Sequence, residues 1–254
     1  VSLTPEQAAG AARPTVLKLG SAFIECPRTL RRARQMGISG WAFLVTGRGA
    51  VLGDVRTETV AAAIGILSPD AVADGWETAV RVATPSAVAE VSRAECCRWG
   101  IDYLAGFPPI ARLIELVEPV VVAADATGMP LFAAWRGMPV PADAAPAARA
   151  AVLLHLLFEY YSGASLMAVR AAGMTAMEII LAGPEGESGA VAYGWSPPYP
   201  PVGPLVRRRL WAESVADRIV AQAYGVLDPA ERVELVSLLG AALTGVRMSP
   251  PNLD

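Results

Sequence analysis

Among its 254 residues the chain has one histidine, His155, one lysine, Lys18, and three cysteines. A single histidine excludes a histidine-rich metal site. Of the cysteines, Cys96 and Cys97 are adjacent, so no framework of disulfides can be drawn and the thiols read as reduced. The strong cofactor signatures are missing too: there is no phosphate-cradling G-x-x-x-x-G-K-[ST], no G-x-G-x-x-G, no H-E-x-x-H and no C-x-x-C. No cofactor and no metal is expected. Charge is sparse, at 18% of residues with a net charge of −3, which gives no general attraction to nucleic acid. The start, VSLTPEQAAG, has neither a basic nor an apolar leader segment, so the expected place is the cytoplasm. The most apolar run, residues 150–158, is far shorter than the roughly 20 residues that span a bilayer and leads into Glu159; a buried core helix is expected and no membrane.

What the chain has in plenty is apolar residues, 54% of the total with a mean hydropathy of +0.41, enough for a large core and incompatible with disorder. Helix starts recur. Thr4-Pro5, Ser68-Pro69, Thr84-Pro85 and Asp228-Pro229 each set a capping oxygen before a proline suited to the first helical position, and Gln7 and Glu231 complete capping boxes. Apolar residues follow helical spacing, as in Ile110, Leu113, Ile114 and Val117, so the chain reads as all-α. Strand-like character is confined to residues 190–195, beside the proline run of 196–204.

An internal repeat organises the rest. TLRRARQMGISGWAFLVTG (Thr29–Gly47) aligns without gaps on SLMAVRAAGMTAMEIILAG (Ser165–Gly183), pairing Arg34 with Arg170, Gly37 with Gly173 and Ser39 with Thr175. Each copy predicts a helix closed by a left-handed glycine, a tight turn, and a second helix capped by a hydroxyl. The expected architecture is an internally duplicated helical bundle: residues 1–125 as one half, 126–142 as a linker marked by Gly128-Met129-Pro130 and Gly137-Met138-Pro139, and 143–254 as the other half.

With those residues noted, the chain resembles the actinobacterial SalK-like family, described as winged helix-turn-helix proteins and often encoded near natural-product genes. The resemblance is carried by the repeat, GRGAVLGDV (Gly47–Val55), AAIGILSPDAVADGWE (Ala62–Glu77), VRAAGM (Val169–Met174), GWS (Gly194–Ser196) and LDPAERVELVSLL (Leu227–Leu239). It implies degenerate winged-helix-like subdomains. Two departures stand out. In FEYYSGAS (Phe158–Ser165) Glu159 is kept but Tyr160 stands where the family pattern has histidine, and a first-half histidine is missing near Gly20-Ser21. Between GWS and the terminal helices the chain has only PPYPPVG (Pro197–Gly203), where the family has room for a recognition helix and wing, so DNA is not the expected partner.

The candidate site centres on Glu159. A carboxylate after a buried apolar run is costly unless paired or titrated. Held by Arg170 or a helix end it would be structural; in a site, Glu159→Gln would leave stability intact and remove function. His155 lies one turn earlier, placed to work with Glu159 in proton transfer or to be a satisfied core histidine. Tyr160 and Tyr161 offer phenols as polarisers or as interface side chains. Glu25, preceding Cys26-Pro27, is expected either to meet Glu159 across a shared cavity, where paired carboxylates would divide into acid and base, or to cap or pair with Arg28. Cys26 is a weaker nucleophile candidate at a helix start, and Arg207-Arg208-Arg209 reads as a solvated, salt-bridged face. The expected function is binding of a hydrophobic natural-product intermediate in an apolar pocket, with cofactor-independent isomerisation, elimination or cyclisation by Glu159, Tyr160 or Tyr161, supported by His155 and Glu25. A ligand-responsive winged-helix transcriptional regulator is the alternative. Partners are then a small hydrophobic molecule and, as a further candidate, a second copy of the chain.

Overall fold

The computed structural model describes residues 2–140 and 144–248. They form thirteen α-helices, one short 3-10 helix (Ala50–Leu52) and no strand, so the protein is an all-α helical bundle. The capping signals act where the sequence puts them. Thr4 Oγ1 accepts from Gln7 N at 3.2 Å to start α1 (Pro5–Ser21). Ser68 Oγ accepts from Ala71 N to start α5 (Pro69–Val80), and Thr84 Oγ1 from Ala87 N to start α6 (Pro85–Leu104). Asp228 Oδ1 accepts from Glu231 N at 2.8 Å to start α13 (Pro229–Met248).

The repeat folds twice into the same unit. In the first copy α2 (Pro27–Gln35) is joined by a tight turn to α3 (Gly40–Gly49). In the second, α9 (Pro146–Ala171) is joined in the same way to α10 (Ala176–Leu181). Gly37 and Gly173 take φ of 80° and 65°. Gly37 N donates to Arg34 O and Ile38 N to Ala33 O, both at 3.0 Å; at the aligned positions Gly173 N donates to Arg170 O and Met174 N to Val169 O. The second bond of each pair runs six-to-one, and together the bonds satisfy carbonyls the helix end leaves open. Ser39 and Thr175 then cap the second helices.

Helix α9 is the axis. It is long and apolar enough to cross a membrane by length and composition, but two-thirds of that window, 67%, is buried inside the fold. It packs against α1, α6, α7 (Ile110–Ala123), α12 (Gly203–Tyr224) and α8 (Pro130–Arg136). Two glycines permit the closest crossings: a β-carbon at Gly20 in α1 would collide with Leu154 O and Phe158 Cβ, and one at Gly100 in α6 with Ala147 O. The main core therefore draws on both halves of the chain, from Ala8 and Leu19 through Leu154 and Leu157 to Tyr224 and Leu239. A smaller core under α3, α4 (Thr57–Ile64) and α5 holds Phe43, Val60, Val72 and Trp76.

Two expectations need correction. Residues 190–195 form no strand: α11 (Gly186–Ala192) ends there, with Gly194 at φ 79° and Trp195 N bonded to Ala190 O. A helix end and a strand share the local apolar character that suggested one, and the positive-φ glycine decides between them. The stretch 126–142 is more than a link, because α8 buries Leu131, Phe132 and Trp135; residues 141 and 142 lie outside the described residues.

At Gly173 a β-carbon would meet nothing within 4 Å, so the glycine answers to backbone conformation alone. Gly173→Val and Gly37→Val should each cost about 1–2 kcal/mol, and Gly173→Asn less; denaturant melts check this, and a valine variant as stable as the parent contradicts the turn.

Candidate functional site

α3 carries one charged residue, Arg48, in an otherwise apolar helix, and the middle of α9 carries Glu159. The fold brings them together. Arg48 Nε donates to Glu159 Oε1 and Nη2 to Oε2, both at 2.8 Å, with the Glu159 side chain 1% exposed and that of Arg48 10%. This forked geometry matches two N–H groups to two carboxylate oxygens. Burial works against the Arg48 charge, but the attraction and hydrogen bonds of Glu159 outweigh it and hold its pKa above the usual arginine value. The guanidinium also lies over the Phe158 ring, 4.9 Å from its centre. The backbone around Arg48 is fixed by Trp135 Nε1, which donates to Arg48 O at 3.2 Å, and by Ser92 Oγ, which donates to Gly47 O at 2.7 Å.

His155 is one turn from Glu159 and 1% exposed. Its Nδ1 meets Gly20 O at 2.8 Å; a carbonyl only accepts, so Nδ1 carries the proton. Nε2 is left as a lone pair without a hydrogen bond, 3.7 Å from Glu159 Oε1. Rings of Phe23, Trp135 and Phe158 surround the imidazole. Burial lowers the His155 pKa, more than the attraction of Glu159 raises it.

Beside this pair lies an apolar cavity of about 380 Å³. Its walls come from α1 (Leu17, Ser21), α3 (Leu44, Arg48), α9 (Phe158, Ser162, Ser165, Leu166) and α10 (Ala176, Ile179), with Glu25 and Tyr193 as exposed residues at its edge. A second cavity of about 440 Å³ lies on the other side of Arg48, sharing Arg48, Ser162 and Leu166 with the first and reached by Glu159 and Arg170. Glu25 and Glu159 thus line different cavities, with Arg48 standing between them.

The other candidates are placed as follows. Tyr160 Oη donates to Ile219 O at 3.2 Å, and Tyr161 Oη bonds Ala9 O and Tyr224 Oη. Both point toward α1 and α12, away from the two cavities. Burial pushes the Tyr160 phenol up to about 12 and raises that of Tyr161 well above its ordinary value. Arg28 pairs with Asp102 at 3.1 Å and not with Glu25. Cys26 is buried beside Tyr103 Oη, 4.0 Å from its Sγ. Arg209 pairs with Glu213 at 2.6 Å on the surface of α12. Among the described residues no group of histidines, cysteines and carboxylates is arranged for a metal.

Sequence reasoning missed Arg48, Ser162, Ser165 and Tyr193. The signal for Arg48 was available: one cation in an apolar helix and one carboxylate in another are each costly alone, and cheapest when paired. Which cation serves Glu159 depends on a contact between distant segments, and Arg170 was the nearer choice in sequence. Arg170 is exposed and makes no ion pair among the described residues.

The doubled helix-turn-helix defines the class of protein. The chain belongs to a helix-turn-helix family, whose model matches residues 9–199 and so takes in both units. Neither the curated proteins nor the solved structures gave a match.

Two outcomes follow from the buried groups. Glu159→Gln keeps the shape but leaves a buried guanidinium without its counter-charge, so it should cost about 3–5 kcal/mol, and Arg48→Met in the same chain should recover part of that loss. Chemical denaturation of the single and double variants checks this. It reverses the expectation that the isosteric change is tolerated. For His155, a lowered folded-state pKa means that the unfolded chain takes up the proton first. Stability from this group is complete above the ordinary value of 6.5 and falls as pH drops through it. His155→Asn keeps a donor for Gly20 O, and its melting temperature should fall less than the parent's between neutral and mildly acid pH.

Proposed function

We propose that this helix-turn-helix protein is a ligand-responsive regulator that senses a hydrophobic small molecule. The observation that carries the reading is the cavity of about 380 Å³ walled by the second helices of both units, Leu44 and Arg48 from α3 and Ala176 and Ile179 from α10. A molecule seated there touches both units at once, so its binding energy can be coupled to their relative arrangement. Family membership supports a regulator above an enzyme. So does the engagement of Glu159 by Arg48, because a carboxylate held by two N–H donors is poorly placed to give or take a substrate proton. The finer resemblance to the SalK-like family supports a natural-product intermediate as the ligand.

Any regulatory output has an unusual constraint. In a helix-turn-helix reader the second helix lies in the major groove; here Ala42, Phe43 and residues 45–49 of α3 are buried, and α10 has six residues. Contact with DNA in this conformation is therefore expected through phosphates and to weaken steeply with salt.

The orphan Nε2 of His155 beside Glu159 favours one second reading, a cofactor-independent isomerase, lyase or cyclase in which these two groups and the exposed Glu25 handle protons. Neither His155 nor Glu159 lines the cavity that both units wall, which ranks catalysis below sensing.

The neutral dye Nile red tests the reading. Its fluorescence should rise on binding to the parent and be lost in Ser165→Phe and Ile179→Trp, which fill the cavity from different helices, while both variants keep a cooperative melt. Equal dye binding by folded variants refutes the cavity as the ligand site. Conversion of a pathway intermediate by the purified protein would favour the enzyme over the regulator.

A further inference from the structure

The charges around the cavity say more about its ligand than its apolar walls do. Three ionisable side chains line it: Glu25, Arg48 and Tyr193. Arg48 is matched in charge by Glu159, which holds it through both carboxylate oxygens from outside this cavity. Glu25 has no such match. The one nearby cation in sequence, Arg28, is turned to Asp102 at 3.1 Å, and Glu25 makes no ion pair or side-chain hydrogen bond among the described residues. Arg170, which has no ion-pair partner among the described residues, opens onto the neighbouring cavity. The lining therefore carries one uncompensated negative charge at its edge.

The neutral groups are compatible with a cation. Ser21 donates its own proton to Leu17 O at 2.7 Å, which leaves its oxygen as an acceptor toward the cavity. Ser162 and Ser165 also line the wall, and a serine hydroxyl can accept from an ammonium group. Tyr193 brings an aromatic ring to the same edge as Glu25; burial, then the Glu185 and Glu25 carboxylates, raise its phenol pKa and keep it neutral. An aromatic ring next to a carboxylate is a favourable setting for an organic cation.

We propose that the cavity takes a hydrophobic cation, an apolar ring system carrying a protonated amine, with Glu25 as its counter-charge. This rests on the reading of the cavity as a ligand site and adds the ligand's chemical class. The apolar body lies against Ile24, Leu44, Phe158, Leu166 and Ile179, and the ammonium group sits at the edge between Glu25 and Tyr193. A carboxylate of the same shape would meet Glu25 as a like charge, and the one cation within reach, Arg48, is already neutralised.

Three probes of one shape test this: naphthylmethylamine, naphthylmethanol and naphthoate, each titrated against bound Nile red at low salt and neutral pH. The amine should bind more tightly than the alcohol, and the alcohol more tightly than the acid, with about fivefold or more between amine and acid, a discount appropriate to a partly exposed charge. Added salt should narrow the gap. Glu25→Gln should bring amine and acid to within about twofold of each other, and Glu25→Lys should invert the order. Nile red binding together with an acid that matches or beats the amine overturns the proposed ligand class and leaves the cavity reading standing. An amine preference that survives Glu25→Gln overturns the role of Glu25. Failure of Nile red and of all three probes to bind refutes the cavity and this inference with it.

Discussion

A guanidinium and a carboxylate that leave water together constrain everything around them. Arg48 and Glu159 sit in two helices that are otherwise apolar on the facing sides. Removing either group from solvent alone costs several kcal/mol, so α3 finds its low-energy position only where the forked contact at 2.8 Å is made. Hydrophobic packing by itself tolerates small slides of one helix on another; a two-pronged ion pair does not. The neighbouring contacts depend on it. Trp135 and Ser92 hold the α3 backbone at the carbonyls of Arg48 and Gly47, Phe158 lies under the guanidinium, and both cavities end at the same side chain.

The helix-turn-helix is used here as building material. In the first unit the second helix is wedged against α5 and α6 with most of its surface covered, so the part of the motif that meets a groove in a DNA reader faces protein. The turns nevertheless keep the full hydrogen-bond pattern of the motif in both copies. Geometry and use have separated: the unit sets the angle between two helices, and the space left between the two units is the cavity.

How much of this was legible follows the distance over which each feature is decided. Helix starts at Thr4, Ser68, Thr84 and Asp228 and the paired glycines at 37 and 173 are settled within about one helical turn, and sequence alone placed them. Glu159 was legible as an anomaly, since a lone acid in an apolar helix demands an explanation. Its partner was not, because the choice of Arg48 over Arg170 rests on how α3 crosses α9. The same limit explains Tyr160 and Tyr161: neighbours in sequence to Glu159, they emerge from α9 toward α1 and α12, and which way each faces depends on where the other helices lie. Residues 190–195 failed for a different reason, since a short helix end with apolar neighbours carries too few residues for its period to declare itself.

Gapless pairing of Thr29 with Ser165 carries one more consequence. α2 ends at Gln35 and α9 ends at Ala171, which are aligned positions. Going back from there, the second copy is one unbroken rod, while the first is interrupted by the turn of residues 22–26 before Pro27, whose ring denies the helix a hydrogen bond. One copy is therefore jointed and the other stiff. Any flexing between a helix-turn-helix and the helix that precedes it falls on the jointed copy, at an elbow whose Ile24 and Glu25 also line the cavity, so a ligand seated there touches the joint itself.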